Sequence, residues 1–439
     1  MQSTICAVVF IFLNAACGQQ PGPTVTQYPS IQQAVRANPG RMVYVPAGEY
    51  RIAEKIALRG DHSGLFGPGR IVQTNPERPI LEIERAADVQ IRDLTLTRAE
   101  GHMETRCEAV IAIGCRGLTL DNLRVLDNRT CAAAIALRDC QASQVRNCLV
   151  QNYMRISIDD RTRSPNYGYA FRAIDGTGIS VLASQGTLIQ GNRILENNLR
   201  PTPEVQRKYD LGEFVQRNAE KGLLVSRETW ERGRVDNWHQ GSAIAVTSPD
   251  ATDGVQILGN TIENAAQGID IHADHVTVAQ NIISNSFMGM KAMHGSRNVL
   301  IVGNQFIKND LWAIGLMPGA ASYAATPERA ANNDGGSIVA HNLISDFGYG
   351  ASHWIWSGDN CFPIRLDSGQ KPDNPPLADV LITGNLIYNS GAVQSKPEPP
   401  RYRYAVFVAP GPQTPRNVHF SNNLFAPGTS GITNVELKP

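Results

Sequence analysis

A motif of asparagine followed by two or three mostly apolar residues recurs along the chain, in "DNLRVLDN", "RNCLVQN", "GNRILENN", "GNTIEN", "QNIISN", "GNQFIKN", "HNLISD", "GNLIYN" and "NNLFAP". The leading residues are Asn122, Asn147, Asn192, Asn260, Asn281, Asn304, Asn342, Asn385 and Asn423, and their closest spacings are 21, 23 and 25. Wider spacings fit one such period plus an insertion. Before each Asn lies a short apolar/polar alternation such as "VTVAQ" or "VLIVG", and about ten residues upstream lies another, such as "GIDIH". Three short strands per period, each stacked on its own copies, predict an all-β chain wound as a right-handed parallel β-helix. The asparagines are expected at the tight turn between the second and third strands, their side chains hydrogen-bonded from coil to coil. A sandwich or a propeller would need near-equal repeats with hairpin turns such as Asn-Gly, and neither is found.

The stretch "SIQQAVRANPGRMVYVPAGEYRI" resembles the capping helix and first strand of the pectate-lyase-like superfamily. That resemblance covers essentially the whole mature chain and implies the fold, not the reaction. It places one β-helix domain over residues 28–439, with an N-terminal helix closing the open end of the stack. The longest insertion, residues 200–240, is charged and expected to be helical. Others, near 159–176, 318–336, 347–361, 368–378 and 390–403, also border the first strand of a coil, so loops should wall a groove whose floor is the first-strand sheet.

Aligning "GISVL", "AIAVT", "GIDIH", "GMKAM", "AIGLM", "PIRLD" and "AVFVA" sends Ile, Val, Met and Leu to the core and leaves three outward columns. The first is small throughout: Gly178, Ala243, Gly268, Gly289, Ala313, Pro363 and Ala405. The second is Ser180, Ala245, Asp270, Lys291, Gly315, Arg365 and Phe407, and the third is Leu182, Thr247, His272, Met293, Met317, Asp367 and Ala409. A bare lane beside a charged lane suits an extended polymer lying along the helix axis. Asp270 and Lys291 are expected one coil apart, with His272 and His294 beside them; this is one of only eight lysines in the chain.

These four residues are the candidate catalytic set. Arg365 or Arg297 would hold a carboxylate, with Asp367, Trp312, Trp238 and His275 as further substrate contacts. A polysaccharide lyase would use a cation against the uronate carboxylate and a base, His272 or Lys291, for the proton alpha to it. "GIDIHA" is similar to the D-P-H-D motif of mannuronan epimerases: Asp270 and His272 match, while Ile271 and Ala273 replace its Pro and final Asp. That resemblance implies proton transfer at His272. A glycoside hydrolase would need a second carboxyl near Asp270, for which Asp250, Asp274, Asp159 and Asp160 are candidates because Asp367 is too distant. A non-catalytic polysaccharide-binding surface protein is the fourth reading.

Composition narrows the partners. Forty Lys and Arg balance forty Asp and Glu, so no global field selects nucleic acid or an anionic membrane. A polysaccharide, uronate-containing in the leading reading, is the expected partner of a monomer. No cofactor motif is visible; "RISIDDRTR" is the one stretch that would suit calcium, and no other metal is indicated. Residues 1–17 read as a signal peptide too short to span a bilayer, followed by an 18–27 linker. The protein is therefore expected to be secreted or periplasmic, or held at the outer membrane by a lipid on Cys17, since "NAAC" resembles a lipoprotein cleavage box. Disulfides Cys107–Cys131 and Cys115–Cys140, or a ladder of free thiols, follow from their one-coil spacings, with Cys148 a core thiol.

Overall fold

The computed structural model describes residues 22–164, 168–196, 237–239, 241–319, 322–350, 361–369, 371–390 and 400–436, with backbone alone at 156–175 and 237–239. Three parallel sheets of twelve strands each run the length of the molecule. Each rung contributes one short strand to every sheet, and inward Ile, Val, Leu and Met side chains stack into a single continuous core. This is the expected parallel β-helix. The N-terminal helix is Ile31–Ala37, started by Ser30, whose side chain accepts from Gln33 N at 3.2 Å. Its Gln32 amide closes the sheet edge: Nε2 donates to Ala57 O at 3.2 Å and Oε1 accepts from Ala57 N at 2.7 Å.

The asparagine turn lies where expected, between the second and third strands of a rung, but its phase needs correction upstream. Asn192, Asn260, Asn281, Asn304, Asn342, Asn385 and Asn423 form one ladder, and from Asn260 onward each Oδ1 accepts both the backbone N–H and the side-chain Nδ2 of the Asn one rung before, at 2.9–3.0 Å. The residue before each ladder Asn is left-handed, as at Gly259 (φ 61°) and Gly303 (φ 64°), where glycine costs least. Asn122 and Asn147 occupy that left-handed slot themselves, with φ 53° and 54°. Leu123 and Cys148 therefore take the ladder position in the first rungs, as the bonds Leu149 N to Leu123 O and Arg193 N to Cys148 O show.

The described cysteines are all free thiols, so the disulfide expectation is not met. Thr105 pairs with Thr130, which puts Cys107 one residue out of step with Cys131. Cys115 and Cys140 are in register, since Gln141 N donates to Cys115 O. Their thiols contact each other, and the hydrogen bond from Cys140 draws the Cys115 thiol down to about 7 while Cys140 is pushed up. Of the 200–240 insertion, the described part is not helical: Asn237–His239 is a strand that joins Arg155–Ser164 and Gly168–Asp175 in a small separate sheet. Residues 1–17, with Cys17, lie outside the described residues. Among the described residues no helix is long and apolar enough to cross a membrane.

Candidate active site on the first-strand sheet

The second outward column is continuous in the structure: Ser180 pairs with Ala245, Ala245 with Asp270, Asp270 with Lys291, Lys291 with Gly315, Gly315 with Arg365 and Arg365 with Phe407. The first column is not a groove lane. Gly178, Ala243, Gly268, Gly289 and Ala313 are buried at the corner where the third sheet bends into the first. A Cβ on Gly268 would lie 2.2 Å from Gly289 O and 2.7 Å from the core side chain of Ile283, and one on Gly289 would lie 2.6 Å from Phe306. Small residues are required there by packing, not by a ligand.

Asp270 is the centre of the cluster. It is 9 % exposed, its Oδ2 lies 3.4 Å from Lys291 Nζ, and its Oδ1 lies 3.0 Å from His272 Nε2. The latter two atoms touch without hydrogen-bond alignment, and neither has another aligned partner. Catalytic hydrogen bonds are often misaligned in an empty site and tighten on substrate binding. Burial pushes the Asp270 carboxyl up, but the Lys291 ammonium and then His272 outweigh it and hold the acid at about 2. His294 packs edge-on against His272, with ring centroids 4.7 Å apart. Burial, and then the neighbouring His272 and Lys291, drives His294 down to about 4, so it is neutral near neutral pH.

Both shifts make the site sensitive to acid. The folded pKa of His294 lies below the unfolded value of about 6.5, so between pH 6.5 and 4 only the unfolded chain gains the proton and stability falls. The stabilisation from Asp270, whose folded pKa is depressed, is present above an unfolded value of about 3.9 and is lost as pH falls towards 2. NMR titration of the histidine rings should show His294 protonating near pH 4, and a midpoint near 6.5 would refute its placement. His294→Phe should remove part of the stability loss between pH 6.5 and 4.

One wall of the site comes from residues 318–319 and 322–334, and sequence patterning did not single out the residues that hold it. Asp334, 1 % exposed, accepts from Gly295 N at 3.0 Å, Ser296 N at 3.0 Å and Ser322 Oγ at 2.6 Å, which ties the segment to the turn carrying His294. Burial raises the Asp334 carboxyl to about 7 against the pull of those donors. A Cβ on Gly319 would meet His294 Nδ1 at 2.1 Å, so the imidazole lies flush on that backbone. The only trace of this in the sequence was an acid directly before the next strand, in "NNDGG".

The other candidates are placed as follows. Arg297 is engaged by Asp274 through Nε at 3.1 Å and through Nη2, and by Ala331 O at 3.1 Å. His275 sits in the turn beyond the strand, 3.0 Å from Asp253 Oδ2 and 3.2 Å from Asn298 Nδ2, so the structure does not bring these two to the cluster. Asp250 is held by Tyr323 Oη at 2.9 Å and Arg329 Nη2 at 2.8 Å. Arg365 reaches its neighbour Asp367 at 3.0 Å and lies 4.9 Å over the Trp312 ring. The space over Gly315 is filled by Met317, whose terminal methyl would lie 2.7 Å from a Cβ there. The side chains of Trp238, Asp159 and Asp160 lie outside the described residues. Among the described residues no group of three or more His, Cys, Asp or Glu is arranged to hold a metal ion.

A family model described as "Right handed beta helix region" matches residues 108–306. The chain carries the right-handed β-helix fold. No curated protein matches its sequence, but this β-helix superposes on solved structures over nearly its whole length. The A-module of a mannuronan C-5 epimerase from Azotobacter vinelandii is 12 % identical, with 94 % of this chain and 98 % of that one covered and a TM-score of 0.52. DFA-IIIase from Arthrobacter chlorophenolicus A6 is 10 % identical over 95 % and 98 %, with a TM-score of 0.56. PfbA, a surface adhesin of Streptococcus pneumoniae, is 12 % identical over 95 % and 92 %, at 0.53. At such identities the likeness is one of fold, and the fold serves enzymes and an adhesin alike.

Proposed function

We propose that this β-helix is an exported carbohydrate-active enzyme, a lyase that cleaves a uronate-containing polysaccharide by β-elimination. The observation that carries the reading is the half-buried cluster in which one ionised carboxylate lies between an ammonium and an imidazole on the groove floor. His272 removes the proton from the carbon alpha to the uronate carboxylate. Asp270 orients the ring and stabilises the imidazolium that forms, while Lys291 neutralises the carboxylate as charge develops on it. The electron pair left at the alpha carbon forms a double bond to the beta carbon, and the glycosidic oxygen departs from there. The imidazolium is then the acid available to that oxygen. His294, neutral and edge-on, fixes the plane of the His272 ring without adding a further positive charge.

Hydrolysis is less well supported. Asp367 is three rungs from Asp270, about 14 Å by stacking, and two of the loop acids, Asp250 and Asp274, are already tied to arginines. An apolar leader supports export. The test is incubation with uronate-containing and neutral polysaccharides while unsaturated-product absorbance and reducing ends are followed together. Absorbance rising in step with reducing ends is expected. Reducing ends without absorbance would make the protein a hydrolase, and altered uronate stereochemistry by NMR with neither signal would make it an epimerase.

A further inference from the structure

On the described floor, the outward columns carry no charged residue on the rungs directly before and after the Asp270–Lys291 pair. Upstream of Asp270 the same column continues as Ala245 and Ser180, and beside His272 the next column continues as Thr247 and Leu182, the last 39 % exposed. Downstream of Lys291 comes Gly315 with the Met317 methyl over it, and Met293 lies beside them. Two rungs before the Asp270–Lys291 pair and one rung after it therefore offer apolar or hydroxyl surface. The first charges beyond are ion pairs: upstream Arg138, in register with Leu182 and bound to Glu108, and downstream Arg365 and Asp367, which neutralise each other at 3.0 Å, with Trp312 under the guanidinium. Phe407 occupies the rung after that and stacks on Phe362 at 3.9 Å.

A homopolyuronate carries a carboxylate on every sugar. Laid along this floor it would press carboxylates onto methyl and methylene surface and against Asp367, with no paired donor for each among the described residues, and burying an unpaired charge is costly. Sugar rings without charge fit the same floor, because their C–H faces pack on Met, Leu and aromatic side chains and their hydroxyls bond to Thr247 or the Arg365–Asp367 pair. We infer that the substrate is a heteroglycan in which the reacting uronate is flanked by uncharged sugars. This rests on the lyase reading above and specifies the chemistry on either side of its reacting sugar.

The test compares two homopolyuronates, polygalacturonate and alginate, with two alternating glycans, hyaluronan and a rhamnose–galacturonate backbone, by rate of unsaturated product. At least one alternating glycan should exceed both homopolymers in kcat/KM by about tenfold or more. A Thr247→Lys variant places a cation on the neutral floor one rung from His272. It should lower KM for the homopolymers by roughly fivefold, with no such gain on the alternating glycans, and its unfolding midpoint should match the parent. Homopolymers cleaved as well as or better than both alternating glycans by the parent protein would overturn the inference and leave the lyase reading standing. Unsaturated product from none of the four would overturn both.

Discussion

Replacing Lys291 with methionine should reduce turnover by roughly 10²- to 10⁴-fold and also destabilise the fold, by up to about 3 kcal/mol. Both effects have one origin. The ammonium is what holds Asp270 ionised at 9 % exposure, and without it a buried carboxylate is left with His272 alone. The Asp270 pKa should rise, and with it the acid sensitivity of the protein. Asp270→Asn should lose a similar share of activity but less stability, since a neutral amide needs no counter-ion. The double variant Lys291→Met/Asp270→Asn should recover stability without activity. Denaturant unfolding alongside product absorbance separates the two effects. If Lys291→Met keeps full turnover, the ammonium has no part in the chemistry and the pair is a structural ion pair.

The largest effect on the fold alone is expected at Asn281. Its Nδ2 donates to Ile257 O and Asn304 Oδ1, both at 2.9 Å, and its Oδ1 accepts from Asn260 N and Asn260 Nδ2, also at 2.9 Å, all fully buried. Asn281→Ala strands the backbone N–H of Asn260 and removes one of two partners each from the Asn260 amide, which keeps Ile189 O, and from Asn304 Oδ1, which keeps the backbone N–H of residue 281. At about 1–3 kcal/mol for the stranded group and about 1 kcal/mol for each further bond lost, a loss of about 3 kcal/mol follows. Asn423→Ala, at the partly exposed end of the ladder, should cost about 1 kcal/mol or less, because water replaces what it gives up. Equal losses at the two positions in urea denaturation would show that the ladder acts through turn geometry and not through buried hydrogen bonding.

Much of this architecture was legible in the chain because a parallel stack repeats its own register. The Asp270, Lys291, Gly315, Arg365 and Phe407 column could be read by alternation alone, since side-chain direction within a strand has period two. Alternation does not survive the corner that precedes each strand. Gly268 and Gly289 have the parity of outward residues, yet backbone bending there turns their Cα atoms towards Ile283 and Phe306. The same loss of phase put Asn122 and Asn147 one residue early: a turn with one left-handed residue before the ladder position accepts Asn in either slot. Cys107 and Cys131 failed to meet through one residue of spacing, 24 where the local register is 25. The acid that pins the site wall, Asp334, lies in a segment with no period, and only the folded path brings it beneath Gly295 and Ser296.

A stack of near-identical rungs has no intrinsic length, because the top of each strand is a template for the next. At the first-strand sheet, what gives the stack a definite beginning is a single side-chain amide. Gln32 meets both peptide groups of Ala57 as a neighbouring strand would, yet brings no further N–H and C=O row behind it. The helix thereby acts as a chain terminator for strand addition at that sheet, so the exposed template is kept from seeding a fibre from that end.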